Sequence, residues 1–250
     1  MKLKELFSKL DEVQKKIGTS TTYCCGGLPR DKFMGRLDNI SDIDVTTGDK
    51  TINYLAQEFE NILKKDFNIT RKTMPDGHTS IFIGNMKLDF SSNFNTPNIN
   101  KILFEKGIKS PTELQKEIYS RDFTCNSLLM PLNLKSIIDL TKNGINDIKN
   151  KKIKCCLDPS ITLMTNRNRV VRAIYLACKL DFDIDDSIID FVKSNPDSIK
   201  VSTERSLIKK LNQSFERDAD KASFLLTKMN LWNYIPISKE IYPYYIKAIK

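Results

Sequence analysis

Asp42 and Asp44 stand one residue apart in Ser41-Asp42-Ile43-Asp44-Val45, downstream of the paired glycines in Gly26-Gly27-Leu28-Pro29-Arg30-Asp31. Along a strand, residues i and i+2 point to the same side, so both carboxylates face one point. Like charges held that close repel unless a cation lies between them. Mg²⁺ suits such a pair, because it takes a few hard oxygen ligands and shares them with substrate phosphates. The upstream Gly-Gly turn offers backbone N–H groups on which a triphosphate can lie. An isolated Asp-x-Asp is as well read as a surface turn with scattered acids. The ordered run of glycine turn, Arg-Asp and strand-borne acids instead favours a metal–triphosphate site suited to nucleotidyl transfer.

At 250 residues the chain is long enough for one large domain or two small ones, and 40% hydrophobic with 28% charged residues is an ordinary globular balance. No apolar run approaches the length of a membrane span, and the N-terminal residues lead into an amphipathic pattern unlike a signal peptide. The expectation is a cytoplasmic protein with no membrane partner. Six cysteines occur without CxxC spacing and His78 is the sole histidine, which argues against zinc and for buried reduced thiols. A net charge of +9 favours a polyanionic partner. Only nine of the 40 basic residues are arginine, in a chain otherwise rich in lysine, asparagine and isoleucine. Arginine retained against that bias marks positions that need a planar, bidentate donor.

Leu3, Leu6, Phe7, Leu10, Val13 and Ile17 recur at helical spacing and predict an amphipathic helix over 3–17. A short buried strand over 22–25 runs into the glycine turn, and a short helix begins near Pro29, where proline suits a first turn. The next strand covers 42–46, and Ile52, Leu55, Phe59, Ile62 and Leu63 mark another helix. Segments 79–83 and 86–91 read as strands of a hairpin turning at Gly84-Asn85, and 95–100 reads as a loop. Helical periodicity dominates from about residue 112, around 112–119, 124–130, 165–181, 185–194 and 203–215, with a short strand at 152–157. The expected class is α+β, a mixed first half followed by a helical second half.

Three further segments carry chemistry. Met86-Lys87-Leu88-Asp89-Phe90 sets an acid among apolar residues. Beside the Asp42 strand, Asp89 completes a three-carboxylate cluster that binds metal and accepts a proton from an attacking hydroxyl; on an edge strand it faces water. Arg121-Asp122-Phe123-Thr124-Cys125-Asn126 crowds polar groups ahead of an apolar run. Asp122 there either caps a helix, or Arg121 and Asn126 hold phosphate and sugar hydroxyls, and spacing leaves the two even. In Thr165-Asn166-Arg167-Asn168-Arg169-Val170-Val171-Arg172, helical spacing puts Asn166, Arg169 and Arg172 on one stripe. An Asn with an Arg reads a base edge and a second Arg takes a phosphate, although spacing alone favours a basic surface helix.

Taken in order, these segments resemble the class II tRNA nucleotidyltransferases and bacterial poly(A) polymerases of the polymerase-β superfamily. Gly26-Gly27-Leu28-Pro29-Arg30-Asp31 is similar to that family's Gly-Gly-x-x-Arg-Asp, and Asp42-Ile43-Asp44 to its metal-binding Asp-x-Asp. Gly77-His78-Thr79 and Asp89 resemble its Gly-Thr and acidic strands, and Ser120 to Ser127 its Arg-Arg-Asp-Phe-Thr-x-Asn-Ala. Asp139-Leu140 to Gly144, Arg169 to Ala173 and Val201-Ser202-Thr203-Glu204-Arg205 continue the likeness, which spans about 20–236.

The resemblance implies a nucleotidyltransferase catalytic head with a small mixed sheet over 1–135, and over 136–250 an all-helical neck with the start of a reduced body domain. It implies template-independent, Mg²⁺-dependent transfer from CTP or ATP to an RNA 3′-hydroxyl. Synthesis or repair of the tRNA 3′ CCA end is favoured; poly(A)-type terminal transfer and a degenerate RNA-binding homologue are the alternatives. On this reading Asp42 and Asp44 hold two Mg²⁺ ions with Asp89 assisting. Gly26, Gly27, Arg30 and Asp31 serve the phosphates with Arg172 as a further clamp, Arg121, Asp122 and Asn126 orient the sugar, and Asn166 and Arg169 contact the base.

Three departures qualify the likeness. Thr165 and Asn166 replace the acids of the family's Glu-Asp-x-x-Arg, leaving Arg169. An Asn amide both donates and accepts but lacks a carboxylate's charge, so the choice between ATP and CTP is expected to be weakened or altered. The family's further body and tail helices have no counterpart, so the RNA grip is expected to be reduced or reorganised. Asn93-Phe94 stands where an Arg often follows the acidic strand.

Overall fold

A computed structural model describes residues 3–37, 40–73, 78–91, 95–196 and 205–249. Gly77, Asn93-Phe94 and Val201 to Glu204, used above, lie outside the described residues. The chain resolves into two compact units, 1–121 with 126–144, and 122–125 with 145–250.

In the first unit the elements run α1 (Leu3–Ile17), β1 (Tyr23–Cys25), α2 (Gly27–Phe33), β2 (Asp42–Thr46), α3 (Thr51–Leu63) and β3 (Ile69–Thr73). They continue with β4 (Thr79–Ile83), β5 (Met86–Phe90), α4 (Ile99–Glu105), α5 (Glu113–Ser120) and β6 (Met130–Pro131). Six strands form one mixed sheet in the order β3-β4-β5-β2-β1-β6. The β2–β5 pair is parallel and the other neighbours are antiparallel.

Strand alternation gives this sheet two chemically different faces. Cys24, Ile43, Val45, Ile81, Leu88 and Phe90 point into a core built with Leu6, Phe7 and Leu10 of α1 and Ile52, Leu55 and Phe59 of α3. The intervening residues include Cys25, Asp42, Asp44, Thr46, Ser80, Lys87 and Asp89. Cys25 joins a smaller cluster with Ile118 of α5 and Leu129. The apolar periodicity that folds the strands therefore also decides which residues are left to face the site.

The second unit continues through α6 (Gly144–Lys149), β7 (Lys152–Ile153), α7 (Pro159–Thr165), α8 (Asn168–Leu180), β8 (Asp183–Ile184), α9 (Asp186–Ser194), α10 (Arg205–Arg217), α11 (Ala219–Lys228) and α12 (Tyr242–Ile249). Helix α8 is its centre, with Val170, Val171, Ala173, Ile174 and Ala177 fully buried, and it packs against α10 and α11. The two-residue strands β7 and β8 pair in parallel. The architecture is α+β. Among the described residues, no helix is long and apolar enough to cross a membrane.

Several elements differ from the sequence expectation. The apolar run at 124–130 is a short 3₁₀ turn over Thr124–Asn126, followed by extended chain. Leu129 exchanges backbone hydrogen bonds with Ile138, and Met130 pairs with Cys24. These residues are buried by pairing and not by a helical face. Strand β3 went unread because Ile69-Thr70-Arg71-Lys72-Thr73 is a polar sheet edge, where charge blunts further pairing. Helix α4 begins inside the expected loop, after Asn98 takes a left-handed conformation (φ 59°). The expected strand at 152–157 is confined to β7, with Cys155 bridging to Phe123 beyond it. Of the helix expected over 165–181, α8 covers Asn168–Leu180, while Thr165 ends the preceding α7 and Asn166 is extended between them.

Candidate active site

In the first unit the site is built around Asp44. Its in-register neighbours are Asp89 on parallel β5 and Cys25 on antiparallel β1. Asp42 pairs likewise with Lys87, so Asp42, Asp44, Lys87 and Asp89 form a block of four charged residues on one face of two adjacent strands. Sequence reasoning left Asp89 either beside the Asp42 strand or on an edge facing water, and the register puts it beside Asp44.

Gly26 ends β1 and closes over Asp44. Its φ of 72° lies in the left-handed region, and a Cβ built on it would come within 2.1 Å of Asp44 Oδ2. Only glycine satisfies both the backbone and the contact. Helix α2 starts at once, with Gly27 its first residue.

Arg30 of α2 is 2% exposed. Its Nε and Nη2 donate to Asp31 Oδ1 at 2.8 and 2.7 Å, and its Nη1 donates to Asn126 Oδ1. Three residues singled out in the sequence thus meet in one fork, which ties Asn126 to α2. Arg121 donates through Nη2 to Cys25 Sγ at 2.7 Å and Glu117 Oε1 at 3.3 Å, and Thr46 Oγ1 donates to Glu117 Oε2 at 2.6 Å. Burial pushes the Cys25 thiol far above its usual range, with the Arg121 charge opposing, so this sulfur stays protonated.

The carboxylates are not equivalent. Asp42 has a side chain 68% exposed, whereas that of Asp89 is 15% exposed. Asp89 Oδ1 accepts from Ser80 Oγ at 2.5 Å, Asp89 Oδ2 accepts from Lys87 Nζ, and the same ammonium lies 3.8 Å from Asp42 Oδ1. Burial alone would lower the Lys87 pKa, but the hydrogen bond and charge of Asp89, then Asp42 and Asp44, raise it overall. Among the described residues, no three acid, cysteine or histidine side chains converge to hold a metal unaided. The donors still fit Mg²⁺, which needs one or two carboxylates and completes its shell with phosphate and water.

In the second unit, Asp122 Oδ2 accepts from Arg172 Nε at 2.5 Å, and Asp122 Oδ1 accepts from the Phe123 N–H at 2.7 Å. Asp122 does not cap an α-helix. Burial pushes its carboxyl up, but Arg172 and then Arg169 outweigh this and hold it below the usual range. Arg169 is buried and donates through Nη1 to the Thr162 carbonyl at 3.0 Å. Burial pulls its pKa down against the attraction of Asp122.

Asn166 is not on the α8 stripe. It follows the last residue of α7 in extended conformation (φ −152°, ψ 103°), and its Oδ1 accepts from the Asn168 N–H at 3.0 Å. An asparagine side chain competes well for such a backbone donor, which ends one helix and starts the next. Sequence reasoning missed Thr46, Ser80, Lys87 and Glu117. Thr46 and Lys87 were within reach of the i, i+2 rule that located the acids; Ser80 and Glu117 needed the tertiary fold.

Residues 22–154 match the family model described as the poly A polymerase head domain. The CCA-adding enzyme of Staphylococcus epidermidis is 25% identical over 238 residues, covering 94% of this chain and 56% of the relative. The tRNA nucleotidyltransferase cca1 of Schizosaccharomyces pombe is 30% identical over 216 residues, covering 78% and 41%. The chain thus spans about half the length of the curated relatives it matches. A solved structure of a tRNA-processing enzyme with CTP has the same fold, with a TM-score of 0.70 at 23% identity over 90% of this chain and 57% of that one. Because the head-domain model matches more than half of the sequence, the chain belongs to the poly A polymerase head-domain family.

Proposed function

We propose that the protein is a template-independent nucleotidyltransferase that moves a nucleoside monophosphate from CTP or ATP to an RNA 3′-hydroxyl, adding CCA or part of it to tRNA. The observation that carries this reading is the Asp44 register: an acid flanked by Asp89 and overhung by a glycine that tolerates no side chain. Relatives named CCA-adding enzyme and tRNA nucleotidyltransferase support the choice of tRNA. Asp42 and Asp44 would hold Mg²⁺, with Asp89 assisting; bound there, the ion supplies charge neutralisation on the reacting phosphate. The working location on this reading is the cytoplasm.

The chain's own groups supply the rest. Gly26 and Gly27 offer backbone N–H groups to the phosphates, since a bare backbone lets anions approach closely. Arg30 holds Asp31 and Asn126 in place behind that turn. Asp89 accepts the proton that the attacking RNA hydroxyl loses. Arg121, Asp122 and Asn126 orient the sugar and the strands beneath it, and Arg172 adds a phosphate clamp. Asn166 and Arg169 contact the base, with one amide able to donate and accept.

The test is incubation of the chain with Mg²⁺, each labelled nucleoside triphosphate separately, and tRNAs ending in the discriminator base, C, CC or CCA. Stepwise addition of C and then A supports the proposal. A-tails on any RNA would replace it with the poly(A) reading, and no incorporation with a binding module.

A further inference from the structure

Lys87 is the one cation in the block of charges that β2 and β5 present. It sits beside Asp42 in register and two residues before Asp89 on the same strand, so its stem emerges on the carboxylate face. Its ammonium donates to Asp89 Oδ2 and lies 3.8 Å from Asp42 Oδ1. With Ser80 on Oδ1, both oxygens of Asp89 are engaged. Three carboxylates packed on neighbouring strand positions repel one another, and a lysine at the fourth position offsets that repulsion.

We propose that Lys87 is a tethered cation that neutralises the Asp42/Asp89 side of the site in the metal-free protein and must release Asp89 when a divalent ion binds. This rests on the metal-site reading above. Lys87 then acts as a positioning residue: it holds the Asp89 carboxylate through Oδ2 and sets how strongly a divalent ion must bind to displace it. The Lys87 side chain is 36% exposed and its stem is flexible, so the ammonium can move into water without unfolding the strand.

The experiment uses Mn²⁺ as the probe, with affinity read by electron paramagnetic resonance and thermal unfolding followed in chelator and in Mn²⁺. Lys87→Met keeps the apolar stem and removes the charge. The expected result is Mn²⁺ binding about tenfold tighter than wild type, equivalent to ~1.4 kcal/mol. The variant should also have a lower melting temperature in chelator and a larger upward shift with Mn²⁺. Lys87→Arg keeps a charge, and Lys101→Met removes one from the exposed face of α4; both should stay within twofold of wild type. Unchanged or weaker Mn²⁺ binding by Lys87→Met overturns the proposal. The two readings separate through Asp42→Asn with Asp44→Asn. If that pair abolishes Mn²⁺ binding while Lys87→Met leaves it unchanged, only the lysine proposal fails. If Mn²⁺ binding survives the pair, the metal-site reading fails and takes the lysine proposal with it.

Discussion

Gly26 lies so close to Asp44 that a Cβ on the glycine would fall 2.1 Å from the carboxylate oxygen Oδ2, while its φ of 72° already excludes most other residues. Gly26→Ala is expected to lose at least a hundredfold in nucleotide incorporation, because Asp44 must move. The left-handed backbone adds a stability cost of about 1–3 kcal/mol. Urea unfolding and an incorporation assay measure the two effects separately; retention of both wild-type values would remove Gly26 from the site.

Asp42→Ala and Asp44→Ala should each reduce incorporation by about a thousandfold or more, the scale on which charge stabilisation of a reacting phosphate acts. Neither carboxylate belongs to the apolar core, so circular dichroism should show a folded chain in both cases. Full incorporation by either variant would end the proposed mechanism.

Arg30 is buried in a fork with Asp31 and Asn126, and lysine cannot reproduce a three-nitrogen fork. Arg30→Lys should cost about 2 kcal/mol of stability and Arg30→Ala about 3 kcal/mol, read from denaturant midpoints. A loss below about 0.5 kcal/mol in Arg30→Ala would show that the fork contributes little.

The Asp122–Arg172 pair predicts a pH dependence. The folded-state pKa of Asp122 is depressed, so its ionised form is favoured by folding. The resulting stability is fully present above the unfolded carboxylate value of about 3.9 and disappears as pH falls through the lower folded-state value. Wild type should therefore exceed Asp122→Asn in stability at neutral pH, with the gap closing below about pH 4. A gap independent of pH from neutrality to strong acid would contradict an ionised Asp122.

Asn166→Asp leaves the contact to the Asn168 N–H possible, since a carboxylate oxygen accepts it equally well. On the proposed function it should sharpen selection, raising the preference for CTP and ATP over UTP and GTP by about tenfold, the scale of one base-edge hydrogen bond. Competition between labelled triphosphates checks this, and an unchanged preference would remove Asn166 from base reading.

Much of the site was legible because its chemistry is local. The i, i+2 rule put Asp42 and Asp44 on one side of a strand, and Gly26-Gly27 marked the turn beside it. Elements with strong periodicity, such as α1, α3 and α8, were also readable. The run at 124–130 was not, because apolar residues buried by pairing carry the same composition as those buried on a helix. Asn166 shows a second limit: spacing assumed a continuous helix, and a single asparagine-to-backbone hydrogen bond broke it.

By itself the sequence determined which groups were present: strand-borne acids, a Gly-Gly turn, and a few arginines retained in a lysine-rich chain. Only the tertiary structure decided the partners. The parallel β2–β5 register set Asp89 opposite Asp44 and Lys87 opposite Asp42, and the fold joined Arg30 to Asn126 and Thr46 to Glu117. The physical reason is that periodicity and turn chemistry act over a few residues, whereas strand order and register are chosen by burying the whole apolar face at once.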